Sequence, residues 1–229
     1  MNATVRNRLA IVLDYDDLDE AIVVARRVQP WFGVAKVGLE LWSAAGVPAV
    51  LRLQDLGYDV FLDVKLHDIP NTVRGASRVL SRLGLAYLNA HAAGGVAMLR
   101  AFVEGAQEGA ADANVSPPCL LGVTVLTSDG DTTAFAPRLD AAIEAGCGGV
   151  VCSGHEIAQV HSAAPQFVTM VPGVRLAGSS RDDQARVMTP GDAIAAGASV
   201  LVVGRTVTHA ADLDAAAQSV FDEVSRSVA

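Results

Sequence analysis

Short runs of apolar, largely β-branched residues recur along the chain, with longer stretches between them whose apolar positions return at helical spacing. The runs fall near 9–14, 33–37, 58–65, 86–91, 119–126, 148–152, 167–171 and 199–204. Amphipathic segments such as Asp17–Val28, Thr72–Leu83 and Asp212–Val228 fill the intervals and the C-terminal end. Strand and helix alternating eight times predict a parallel sheet, and eight such units can close into a barrel. Two units echo each other, Ala145-Gly146…Val150-Val151 and Ala196-Gly197…Leu201-Val202, as repeated helix–Gly–strand construction does. An open doubly wound sheet is the main rival, but no GxGxxG follows the first run. No linker or composition break divides the chain, so residues 1–229 are expected to form a single-domain (β/α)8 TIM barrel of the α/β class.

Composition narrows the function. The chain has 229 residues, 51% of them hydrophobic but only 5% aromatic, so the core must be built from Ala, Val and Leu. A net charge of −8 and a pI of about 5.0 repel nucleic acid and anionic membranes. An anionic ligand then needs a local cluster of Lys, Arg and backbone N–H groups. Cys119, Cys147 and Cys152 lie in apolar runs without CxxC spacing and read as buried reduced thiols. Residues Met1 to Leu9 lack an apolar signal core, and no run reaches membrane-spanning length, so a cytoplasmic protein is expected.

A barrel places its chemistry where the strands end and in the loops that follow. The first run ends in Asp14 and the second in Lys36, and the third continues into Asp63-Val64-Lys65. Strand side chains alternate faces, so Phe61, Asp63 and Lys65 share one face and Val60, Leu62 and Val64 the other. A buried charge survives only when paired, which alternating opposite charges achieve. An Asp63–Lys65 pair alone could be purely structural. Asp14 and Lys36 at equivalent positions of neighbouring strands turn the reading towards a site.

The stretch Asp63-Val64-Lys65-Leu66-His67-Asp68-Ile69-Pro70-Asn71-Thr72 resembles the D-x-K-x-x-D-I-x-x-T signature of the orotidine 5′-monophosphate decarboxylase family. Leu13-Asp14, Lys36-Val37-Gly38, Val125-Leu126-Thr127-Ser128 and Pro172-Gly173-Val174-Arg175 match further family positions in order. So do Asp183-Gln184, Met188-Thr189-Pro190 and Val203-Gly204-Arg205-Thr206-Val207-Thr208. The family often has Met after the Leu-Thr-Ser of the fifth strand, where this chain has Asp129-Gly130.

The resemblance implies conversion of orotidine 5′-monophosphate to UMP and CO2 in pyrimidine biosynthesis, without cofactor or metal. It implies that Lys65 stabilises charge at C6 and then protonates it. Asp63 would hold Lys65 in place, by positioning alone or also by pressing on the substrate carboxylate. Asp14 and Lys36 would bind the ribose, Thr72 the sugar–phosphate region, and Thr127 the pyrimidine. Gly204 and Arg205 would take the phosphate through backbone N–H groups and a guanidinium fork. Arg175 and Gln184 would reach the ligand from the segment 173–187, whose Gly178-Ser179-Ser180 suits a closing lid. Asp68, together with Thr72, would come from the second subunit of a homodimer and complete a Lys36–Asp63–Lys65–Asp68 network, and Ile69 would bind substrate.

Other residues carry less. His67 and His91 read as structural hydrogen-bonding groups, and His155, His161 and His209 lack ligand spacing. Trp31 and Trp42 read as packing anchors. Two rivals remain: Mg2+-dependent enzymes resembling 3-keto-L-gulonate 6-phosphate decarboxylase and hexulose-6-phosphate synthase, which share D-x-K-x-x-D, and a non-catalytic phosphosugar-binding barrel. Ile69-Pro70-Asn71-Thr72 and Leu126-Thr127-Ser128 favour the nucleotide enzyme, and retention of both Asp63 and Lys65 disfavours the binding module.

Overall fold

The computed structural model describes residues 3–126, 132–176 and 188–228. Thr127, Gln184 and Gly178-Ser179-Ser180 therefore lie outside the described residues. Eight parallel strands pair in sequence order and β8 returns to β1, closing a barrel. They are β1 (Leu9–Leu13), β2 (Val34–Val37), β3 (Asp59–Leu66), β4 (Tyr87–His91), β5 (Cys119–Val123), β6 (Gly149–Val151), β7 (Val168–Val171) and β8 (Val200–Val203). Around them run α1 (Ala3–Arg6), α2 (Leu18–Val28), α3 (Leu39–Ala45), α4 (Val47–Asp55), α5 (Pro70–Ser81) and α6 (Gly95–Ala113). The later helices are α7 (Phe135–Glu144), α8 (Ile157–Ala163), α9 (Pro190–Ala195), α10 (Arg205–Thr208) and α11 (Leu213–Val228).

The period of two divides each strand between two cores. Ala10, Val34, Phe61, Leu121, Met170, Val200 and Val202 fill the barrel interior. Leu9, Ile11, Leu13, Ala35, Val60, Leu62 and Leu88 point outwards into the helix layer. A one-residue slip in any strand would exchange these faces, so burial on both sides fixes the register. Asp14, Lys36 and Asp63 share the parity of the interior set, which is why they collect at one mouth. Local chemistry starts the helices: the Asp17 carboxylate accepts from Glu20 N at 3.0 Å and that of Asp212 from Ala215 N at 3.0 Å. Pro70 opens α5, a position where its missing N–H costs nothing.

Two elements differ from the sequence expectation by more than one residue at an end. The fifth strand ends at Val123 rather than 126. There the Thr124 N–H and hydroxyl both reach the Val151 carbonyl, at 3.2 and 2.9 Å, but Arg138 takes the Thr124 carbonyl at 2.7 Å, so the ladder goes no further. The helix expected over 72–83 runs over 70–81 instead. Among the described residues, no helix is long and apolar enough to cross a membrane.

Candidate active site

A cavity of about 570 Å3 opens where the strands end, a size suited to a small organic ligand. Its walls carry Asp14 after β1, Lys36 of β2, and Phe61, Asp63 and Lys65 of β3. Gly173 and Arg175 beyond β7, and Gly204 and Arg205 beyond β8, line the same space.

The charges form an alternating chain. Lys36 Nζ lies 3.3 Å from Asp14 Oδ1 and 3.2 Å from Asp63 Oδ2, while Lys65 Nζ lies 2.7 Å from Asp63 Oδ1. Lys36 and Asp63 are 7% and 8% exposed, and Lys65 reaches further into the opening. Burial alone would raise the Asp63 carboxyl. The charges of Lys36 and Lys65, with hydrogen bonds from Lys65 and Asn89, outweigh it and hold Asp63 below the usual carboxylate range. Asp63 is thus an anion clamped between two ammonium groups. The arrangement leaves Lys65 half-buried and tethered at the edge of the cavity, where it can meet developing negative charge and supply a proton.

The backbone is specialised here as well. Lys65 has φ +50°, in the left-handed region that side chains disfavour, and the β3–β4 register shifts between Leu62 and Leu66. Lys65 therefore reaches the site through a bulge rather than by simple alternation. Gly38 sits against the neighbouring pair: a Cβ there would lie 2.7 Å from Lys36 Nζ and also collide with Asp14 Oδ1. Absence of a side chain at position 38 is what lets the two charges meet.

Across the cavity, Gly204 and Arg205 come directly off β8, and both line it. Arg175 is 8% exposed, and its backbone N–H donates to the Met188 carbonyl at 3.0 Å. Asp68, Ile69 and Thr72 stand apart from this group: all three are exposed and none lines the cavity of its own chain. The Asp68 carboxylate accepts from the N–H of Ile69 at 2.6 Å.

Several wall residues escape sequence reasoning. Tyr15, Glu40 and His209 line the cavity, beside Thr208 of the matched stretch and Phe61, which alternation puts on the Asp63 face. Buried Asn89 bonds to both Asp63 and the Lys65 backbone. Its signal in the sequence is a lone amide amid the apolar Tyr87-Leu88-Asn89-Ala90, at inward parity. His91 packs against His67 with ring centroids 5.5 Å apart and planes tilted by 45°, beside the site rather than in it.

Residues 7–220 match the family described as orotidine 5′-phosphate decarboxylase / HUMPS. The orotidine 5′-phosphate decarboxylase of Moorella thermoacetica is 44% identical over 96% of this chain and 92% of that protein. The enzyme of that name from Nitratidesulfovibrio vulgaris is 46% identical over 92% of this chain and 94% of its own length. The crystal structure of orotidine 5′-phosphate decarboxylase from Lactobacillus acidophilus superposes with a TM-score of 0.77 at 33% identity, covering 95% of this chain and 99% of that one. With a closed parallel barrel, a charged mouth and likeness along nearly its whole length, the chain is a carboxy-lyase that belongs to the orotidine 5′-phosphate decarboxylase / HUMPS family.

Proposed function

We propose that this enzyme converts orotidine 5′-monophosphate to UMP and CO2, the last step of UMP synthesis, with Lys65 as the proton donor. The observation that carries the reading is the buried Lys36–Asp63–Lys65 array in one cavity with Arg205. Arg205 and the backbone at Gly204 take the phosphate, Arg175 and Gln184 assist from the segment after β7, and Asp14 and Lys36 take the ribose hydroxyls. Thr127 serves the pyrimidine edge. Gripping the phosphate far from C6 supplies binding energy for aligning the reacting end. As the C6–carboxylate bond breaks, its electron pair remains on C6. The Lys65 ammonium stabilises that charge, transfers a proton to C6, and regains one from solvent after CO2 and UMP leave. Asp63 restrains the Lys65 chain so that the ammonium does not have to be ordered during the reaction.

Asp68, Ile69 and Thr72 complete the site of a second copy in a homodimer. Exposure of 65% for Ile69, a large apolar side chain at the tip of the β3–α5 loop, fits a residue covered on assembly. Three free cysteines fit the reducing cytoplasm.

The test is a spectrophotometric assay of orotidine 5′-monophosphate loss, with UMP binding measured by calorimetry. Lys65→Ala is expected to lower kcat by at least about 10³-fold while UMP binding stays measurable. Near-normal turnover by the folded variant would remove Lys65 from the role of acid.

A further inference from the structure

We infer that Asn89 is a positioning residue for proton delivery, setting both the backbone and the counter-ion of Lys65; this rests on the decarboxylation reading above. Asn89 lies on β4 with its side chain turned into the barrel and is completely buried. A buried carboxamide is tolerated only when its polar atoms are bonded. Its Nδ2 donates to Asp63 Oδ1 at 2.7 Å, and its Oδ1 accepts from Lys65 N at 2.8 Å. The chemistry fixes this orientation, because the carboxylate can only accept and the backbone N–H can only donate.

The two bonds have separate effects. In a regular parallel ladder the N–H of Lys65 would seek a backbone carbonyl of the next strand. Here the Asn89 side chain takes that place, at the point where the β3–β4 register shifts and Lys65 adopts φ +50°. Meanwhile Nδ2 occupies Asp63 Oδ1 together with Lys65 Nζ, leaving Oδ2 facing Lys36. One planar group thereby decides which carboxylate oxygen serves which lysine, and holds the turn that aims Lys65 back at Asp63. Asn89 does not line the cavity, so it acts through these partners rather than on substrate.

Two variants separate positioning from general support of the fold. Asn89→Ala removes both bonds, and kcat is expected to fall about 100-fold with KM nearly unchanged. Asn89→Asp keeps the shape and the acceptor for Lys65 N but sets a second carboxyl against Asp63. One proton must then be shared by the pair. The charges around Asp63 are Lys36 on β2 with Asp14 behind it, Lys65 on β3, and His91 on β4 against His67. At acid pH the protonated new carboxyl donates as the amide did, so turnover of Asn89→Asp is expected to approach the wild-type rate. It should then fall as pH rises, at lower pH than the decline that loss of the Lys65 proton brings to the wild-type enzyme, a shift that loss of packing would not produce. Crystal structures of the variants give a reading independent of substrate: in Asn89→Ala, Lys65 is expected to leave the left-handed region and its ammonium to part from Asp63. A kcat within about threefold of wild type in folded Asn89→Ala, a pH profile of Asn89→Asp parallel to wild type, or an unmoved Lys65 would overturn the inference. A wild-type protein inert towards orotidine 5′-monophosphate would sink the decarboxylation reading instead, and the Lys65 geometry would still judge Asn89.

Discussion

Arg205 follows Gly204 directly off β8 and lines the same cavity as Lys65, so the phosphate and the reacting carbon should draw on different residues. Arg205→Ala is expected to lower kcat/KM for the nucleotide roughly 100-fold, the scale of a lost charged hydrogen bond. Turnover of the phosphate-free nucleoside should barely change, and equal losses on both substrates would place Arg205 outside the phosphate site. His91 invites a different measurement. Burial first, then the charges of His67, Lys65 and Arg138, lower its pKa, while Asp63 pulls weakly the other way. The fold therefore prefers neutral His91, and the unfolded chain binds its proton more readily. Stability from this group is intact above the ordinary histidine value of about 6.5 and is lost as pH falls below it towards the lowered folded value. Thermal melts should show Tm falling between about pH 7.5 and pH 5.5, and falling less in His91→Gln. Identical drops would show that His91 contributes nothing to the acid sensitivity. Asp14, Lys36, Asp63 and Lys65 were legible in sequence because each ends an apolar run, and a polar residue there is conspicuous. Asn89 and the left-handed Lys65 were not, since a side chain standing in for a ladder carbonyl depends on a neighbouring strand far away in sequence.

Elements were easier to read than their ends. Each of the eight strands coincides with an expected run, β3 passing its end by one residue, because short apolar stretches alternating with amphipathic ones leave few other architectures. The overrun of the fifth strand came from Thr124-Val125-Leu126, which continues the apolar pattern although Arg138 takes the Thr124 carbonyl out of the ladder. Nor does periodicity reveal how closely two helices approach. Helix α5 carries the fully buried Ser77 and Ser81 where it meets α6, and a Cβ at Gly109 of α6 would strike the Arg78 carbonyl. Gly105 stands in the same relation to the Arg74 carbonyl. These small residues let the backbones meet directly, and α5 begins immediately after the loop that carries Asp68 from the end of β3. Gly109→Ala forces the helices apart and should cost about 2 kcal/mol, a fall of roughly 4–8 °C in Tm. Arg78→Ala, which removes only an exposed ion pair with Asp112, should change Tm little. Calorimetry of the two variants checks the contrast, and an unchanged Tm in Gly109→Ala would mean that the helix contact is looser than described.

At the scale of the molecule the question is whether one chain makes a whole site. Asp14, Lys36, Asp63, Lys65, Arg175, Gly204 and Arg205 converge on one cavity, but Asp68, Ile69 and Thr72 lie exposed beyond the end of β3. Side chains that a signature couples so tightly to Lys65 in sequence, yet that lie outside its cavity, make sense if they serve another copy. Spacing alone could not reveal this, because the three-residue loop 67–69 can reach inwards or across an interface equally well. The decisive experiment mixes two inactive proteins, Lys65→Ala and Asp68→Ala, under conditions where subunits exchange. In a mixed pair, one site joins an intact Lys65 from one chain to an intact Asp68 from the other, and the second site carries both defects. Random exchange makes about half of the pairs mixed, each with one of its two sites whole, as the isologous geometry of a two-fold dimer requires. About a quarter of wild-type activity should therefore return, rising with time as subunits exchange and absent from either variant alone. If mass spectrometry shows that mixed dimers have formed and no activity appears, Asp68 serves its own chain, and the β3–α5 loop must fold inwards over the cavity when substrate binds.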